Sequence, residues 1–177
     1  MTRRLARHGV MAVGLVLGMT GAAAAQATTD GRPAPVVEGS IGWAGFGDEG
    51  VVHHALVGAG ARVYVSPRVS IGPELQYMVG PGSDRDLILT GNVVFDLLAP
   101  TAARPRRTTP FLVAGGGLFR HSDRFATGTF STTEGAFTVG VGVRTWLSDR
   151  VYAALDARAG WEPHLRLAAS FGVVPGR

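Results

Sequence analysis

The sequence predicts an all-β protein, an eight-stranded antiparallel up-and-down transmembrane β-barrel preceded by an export segment. Three observations predict it. Apolar and polar residues alternate with a period of two over long stretches, the polar set is built largely from glycine and a few balanced charges, and the chain opens with a secretory signature. From Val69 to Val79 one set reads Val69, Ile71, Pro73, Leu75, Tyr77 and Val79, against Ser70, Gly72, Glu74, Gln76 and Met78. The same period returns from Gly135 to Leu147 and from Val151 to Trp161, and it is the period of a strand, whose successive side chains point to opposite faces.

Residues 1–27 carry Arg3, Arg4 and Arg7, an apolar run from Val10 to Ala25 and the small-residue triplet Ala25-Gln26-Ala27, which together read as a signal peptide cleaved after Ala27. Gly14, Gly18 and Gly21 interrupt the run, which argues against a spanning helix. A barrel must cross the inner membrane unfolded, so the expected route is Sec. The mature part has 150 residues, with 14 arginines, no lysine and 13 acids, so the basic isoelectric point belongs mostly to the discarded segment. Nucleic-acid binding therefore has no electrostatic basis, since a polyanion needs clustered excess cations. The absence of cysteine excludes a lipoprotein anchor, disulfides and thiolate metal sites. A mean hydropathy of +0.19 is high for a soluble secreted domain, and the excess sits in the alternating strands.

Residues 28–35 form a short proline-containing lead, and 36–177 form the barrel. The expected strands are 36–46, 51–65, 68–80, 84–98, 108–120, 130–147, 150–162 and 165–174, each near or above the ~9–11 residues that a tilted strand needs to cross a bilayer. They fill the mature chain, leaving no room for a second domain. Ser66-Pro67-Arg68 and Ser148-Asp149-Arg150 read as matching tight turns on the periplasmic side, with 99–107 as a longer basic connection. Opposite them lie 46–50, 81–84, a long loop from His121 to Thr129, and Glu162-Pro163-His164. Pro73 removes a ladder hydrogen bond, so a bulge or distortion is expected there.

Composition decides which face points outward. A water-facing exterior would be dense in charge, whereas this polar face holds Gly58, Gly60, Gly72, Gly140, Gly142 and Gly160, with Arg62, Glu74, Arg144, Asp156 and Arg158 scattered among them. Small residues and balanced charges suit a cramped lumen that side chains fill. The five charged residues are expected to interleave as an ion-pair plug, because an unpaired buried charge costs several kcal/mol. Trp43, Tyr77 and Trp161 fall on apolar parity near the outer strand ends, as interfacial aromatics would, with Phe95 and Phe111 at the other rim. Tyr64, Trp146 and Tyr152 lie on lumen parity. In the fifth strand both parities are apolar around Gly115-Gly116-Gly117, and its facing stays open.

The signal peptide, the strand count, the glycine-rich alternation and the run Thr109-Pro110-Phe111-Leu112-Val113-Ala114-Gly115-Gly116-Gly117 resemble the small outer-membrane β-barrel family, the OmpA/OmpX-like eight-stranded proteins, over residues 36–177. The resemblance implies a monomer in the outer membrane of a Gram-negative-type bacterium. Its implied partners are outer-membrane lipid and lipopolysaccharide, with the barrel-assembly machinery during biogenesis. Such families usually end on an aromatic residue, and here Phe171 is followed by Gly-Val-Val-Pro-Gly-Arg.

The chemistry legible in the sequence is sparse. His121-Ser122-Asp123 has the residue types of a lipid A-modifying barrel enzyme, but neighbours in a strand diverge and a loop does not hold them in place. His53-His54 offers two imidazoles that point apart, so a single ion would need ligands from elsewhere. The reading is therefore non-enzymatic, with no catalytic, cofactor or metal site assigned. Arg120, His121, Ser122, Asp123, Arg124 and Phe125 form a candidate surface-binding loop, since arginine grips phosphate bidentately and loops on rigid scaffolds carry function. The expected role is structural or in surface interaction, with the lumen plugged. The alternatives are the lipid A enzyme and a periplasmic lipocalin-like binding barrel, which an apolar exterior would exclude.

Overall fold

The computed structural model describes residues 33–47, 50–98, 108–161 and 163–175, the side chain of Phe125 apart. The export segment, the lead up to residue 32, the 99–107 connection and Glu162 lie outside the described residues. Within them are eight strands: β1 (Val36–Gly47), β2 (Val51–Tyr64), β3 (Val69–Val79), β4 (Arg85–Asp96), β5 (Thr108–Phe125), β6 (Gly128–Trp146), β7 (Val151–Gly160) and β8 (His164–Val173). Each pairs antiparallel with its neighbour in sequence, and β8 returns to β1 through a ladder from Val37–Val173 to Phe46–His164, so the sheet closes as a barrel. Closure leaves no unpaired edge, which is what allows a sheet to sit in hydrocarbon.

The period-two pattern translates directly into two faces. Ile41, Val57, Val93, Val141, Leu155 and Phe171 point outward and are half or more exposed, while the interleaved set is buried. Burying charge and exposing large apolar residues is the inverse of a lipocalin-like barrel. The exterior is that of a transmembrane barrel.

Strand β5 resolves in favour of its odd positions. Phe111, Val113 and Phe119 face the lumen, and Leu112 and Leu118 face out. Phe111 is therefore not a rim aromatic; it packs inside, its ring 5.1 Å from the Arg144 guanidinium carbon, whereas Phe95 does lie outside. The expected loop from His121 to Thr129 is instead strand, apart from a turn at Ala126 and Thr127. β5 and β6 stay paired as far as Phe125–Gly128, because this Ser- and Thr-rich stretch continues the backbone ladder beyond its neighbours. Pro73 makes no bulge: the β2–β3 register is the same on both sides of a gap opposite Gly72 and Pro73, and pairing to β4 is continuous there.

The two short turns share one solution. Ser66 Oγ accepts from the amides of Arg68 (3.3 Å) and Val69 (3.1 Å), and Ser148 Oγ accepts from those of Arg150 (3.3 Å) and Val151 (3.1 Å). These turns lie at one end of the barrel, the turn end, together with the end of β4 and the start of β5. The β5–β6 extension marks the other, the hairpin end.

Candidate functional site

From the turn end upward the lumen is filled in layers. The lowest joins Arg62 to Glu38 (2.9 Å), both hydrogen-bonded to the Tyr152 hydroxyl, and Arg144 to Asp96 (3.2 Å) and to the Tyr64 hydroxyl (3.0 Å). Gly172 makes the Tyr152 position possible, since a Cβ there would lie 2.0 Å from the ring. Above it is a closed ring of four charges. Glu74 bonds Arg158 (2.7 Å) and Arg166 (3.1 Å), and Asp156 bonds the same two arginines at 2.8 and 3.0 Å. Gln76 and Asn92 complete the Glu74 carboxylate at 2.6 Å each.

Of the five residues expected to form one plug, Glu74, Asp156 and Arg158 thus share the ring, while Arg62 and Arg144 belong to the lower layer. The sequence reading missed Glu38, Asp96 and Arg166. Strand parity placed all three inward, but only the register between strands selects partners. The void left beside the ring is about 20 Å³, room for about one water molecule.

An apolar septum of Ala44, Leu56, Met78, Ile88 and Phe119 caps this plug. Beyond the septum the barrel opens into a cup of about 870 Å³ at the hairpin end. Four polar side chains meet in it. His54 is 3% exposed and Asp86 2% exposed. His54 Nε2 lies 2.8 Å from Asp84 Oδ2 and 3.1 Å from Asp86 Oδ2, and His121 Nδ1 lies 2.8 Å from Asp86 Oδ1 and 3.5 Å from Asp84 Oδ1.

The surrounding chain fixes these groups. The Phe46 ring stands edge-on to His54 at 4.9 Å. Asp84 sits in the β3–β4 turn, where Gly82 takes a φ of 61° that favours glycine. Arg85 donates to the carbonyl oxygens of Gly82 and Asp84, and Ser83 ties the turn to Asp123 (2.5 Å) and the Arg124 carbonyl (2.7 Å). Gly80 leaves the space beside the donors open, because a Cβ there would fall 2.4 Å from His54 Nε2 and 2.5 Å from Asp84 Oδ2.

The outward apolar residues end at Leu118 on β5 and Phe137 on β6. Above them the outward positions are Arg120, Ser122, Arg124, Thr129, Ser131 and Thr133, all polar, so this part of the hairpin stands clear of the apolar belt. Alternation splits the expected surface loop into two faces: Arg120, Ser122 and Arg124 look out, while His121 and Asp123 look toward the cup. Phe125 ends β5. His121 and Ser122 therefore diverge, and no His–Ser–carboxylate set converges on one wall here. Burial works to lower the His121 pKa, but its hydrogen bond to Asp86 and the charges of Asp86, Asp84 and Asp123 outweigh this and raise it above the ordinary histidine value.

Trp43, Tyr77 and Trp161 lie outside at the hairpin end. Trp43 donates to His53 Nδ1 (3.2 Å), Tyr77 is exposed, and Trp161 pairs with Phe137 at 6.0 Å and donates to Glu134 (3.4 Å).

Fold, charged lumen and apolar belt together define a small eight-stranded transmembrane barrel. Three solved structures of outer-membrane barrels are similar to it. Neisserial surface protein A matches with a TM-score of 0.70 at 13% identity, over 79% of this chain and 96% of that one. The N-terminal β-barrel domain of Pseudomonas aeruginosa OprF matches at 0.57 and 11%, over 80% and 97%. Ail, the attachment invasion locus protein of Yersinia pestis, matches at 0.51 and 9%, over 78% and 94%. At these identities the likeness is one of fold. No family model and no curated protein sequence matches the chain.

Proposed function

We propose that this protein resides in the outer membrane of a Gram-negative-type bacterium, delivered by a cleaved signal peptide, as a non-enzymatic, non-conducting monomer. Its hairpin end faces outward, and its role is structural or in surface interaction. One observation carries the reading: a belt of outward apolar side chains surrounds a lumen whose charges are mutually paired, and a hairpin with a polar outer face rises above that belt. The belt requires a membrane. The paired lumen, with its void of about 20 Å³, gives a water file no continuous path. Arg120 and Arg124, four residues apart on the outward face of β5 with Ser122 between them, suit the phosphates of lipopolysaccharide, which arginine binds bidentately.

The test is expression of the full chain in a Gram-negative host, followed by fractionation and comparison of boiled with unboiled samples on a gel. A heat-modifiable band in the outer membrane, protease cleavage of the hairpin on whole cells and a silent planar bilayer are the expected results. Recovery in the soluble periplasm, or steady conductance, overturns the reading. For the lipid contact, Arg120→Ala with Arg124→Ala is expected to lower co-purifying lipopolysaccharide while leaving the heat shift intact.

A further inference from the structure

The cup is chemically unlike the lumen beneath it. Four arginines, Arg62, Arg144, Arg158 and Arg166, lie below the septum, each against a carboxylate. Among the described residues that line the cup there is no arginine, and its charges come from Asp84, Asp86 and Glu134. Facing them are the two imidazoles of His54 and His121.

The donor geometry is that of a cation site. His54, Asp84 and Asp86 each present a ligand atom within 4.8 Å of the others, and His121 adds a fourth group 2.8 Å from Asp86. Four ligands placed at the ~2.0–2.2 Å typical of zinc–nitrogen and zinc–oxygen bonds stand about 3.4 Å apart in a tetrahedron. Each imidazole nitrogen lies 2.8–3.5 Å from an oxygen of each carboxylate, close to that spacing, with Asp84 and Asp86 each turning one oxygen to His54 and the other to His121. His54 Nδ1 and Asp84 Oδ1 have no hydrogen-bond partner, so both groups keep capacity that the cluster itself does not use. Gly80 keeps the space beside the donors clear, and the cup gives an ion a way in.

We propose that His54, Asp84, Asp86 and His121 form a binding site for one divalent transition-metal ion of the zinc class. Two imidazole nitrogens with two carboxylates favour zinc, cobalt or nickel over calcium and magnesium, which prefer all-oxygen shells. The ligands come from β2, the β3–β4 turn, β4 and β5, so a bound ion would fasten the hairpin to the opposite wall of the mouth. The inference rests on the cup alone and does not depend on the membrane in which the barrel sits.

The test is isothermal titration of ZnCl₂ into the folded, chelator-treated protein in detergent, with CaCl₂ and MgCl₂ as comparisons and the heat-dependent gel shift as the check on folding. One zinc ion per chain is expected, undisturbed by excess calcium or magnesium. Asp86→Asn and His54→Gln should each weaken it by about tenfold or more. Gly80→Ala should weaken it while keeping every ligand, and His53→Ala should leave it unchanged. No saturable zinc binding, full affinity in folded Asp86→Asn, or loss in folded His53→Ala overturns the proposal. Should the ligand variants not fold, the wild-type protein loaded with Co²⁺ decides. Ligand-field bands of a four- or five-coordinate nitrogen and oxygen site support the proposal, and the spectrum of the six-coordinate aquo ion overturns it.

Discussion

The lumen ring and the cup are both clusters of buried charge, one septum apart in the same barrel but on different strands, and they are built on opposite terms. In the ring two carboxylates meet two guanidinium groups, each acid bonded to both arginines, and the charge closes on itself. In the cup two carboxylates meet two histidines, and among the described residues no arginine pairs with them. The difference separates holding from binding. A buried cluster of acids matched by guanidinium groups stabilises one packing, while carboxylates and imidazoles at an open mouth have capacity for something from outside.

Removing Glu74 is the strongest way to break this comparison. Glu74→Ala leaves Arg158 and Arg166 with Asp156 as their one shared acid in the ring, and a loss of about 3–5 kcal/mol is expected in denaturant unfolding from lipid vesicles. A loss no greater than that of Asp86→Ala would erase the distinction between the clusters. Placing a charge on the belt sharpens the comparison by locating the membrane against both: Leu155→Arg, outward on β7, should cost about 2–4 kcal/mol in vesicles. Little change there would move the hydrocarbon away from the ring. Tyr152→Phe removes the hydroxyl that serves Arg62 and Glu38, with an expected loss of about 1–3 kcal/mol by the same assay. The smallest effect belongs to the cup, where Asp86→Ala should change unfolding in chelator by less than about 1 kcal/mol, since Asp84 stays beside both His54 and His121 when it is gone. A larger cost would make the cup a structural device like the ring.

Much of this was legible along the chain. Alternation alone placed Arg62, Glu74, Arg144, Asp156 and Arg158 inside and Trp43, Tyr77 and Trp161 outside, and the serine turns at 66 and 148 announced themselves by repetition. Strand β5 was not legible, because leucine, phenylalanine and valine occupy both of its parities and either face would have satisfied the pattern. The stretch 121–129 reads as loop because polar residues occupy both of its faces. Standing above the belt, it has no lipid to select an apolar side, and backbone pairing with β6 carries the strand onward.

The cup shows the limit most plainly. His53-His54 invited the thought of a metal and failed on its own terms, since adjacent strand residues diverge. What completes His54 is Asp84, Asp86 and His121, some 30 to 67 positions further on. Their meeting depends on the β3–β4 turn, on the Asp86–His121 register of β4 with β5, and on a glycine at 80 that leaves the space free.

The sequence by itself determined the strand period, the faces of the strands other than β5 and hence a barrel with its apolar side outward, because these follow from the two-residue geometry of one extended chain and the cost of burying charge. Only the tertiary structure decided which charges pair and which stay open. Partners across a closed sheet are chosen by register and shear between strands distant in sequence, and no local pattern encodes that choice.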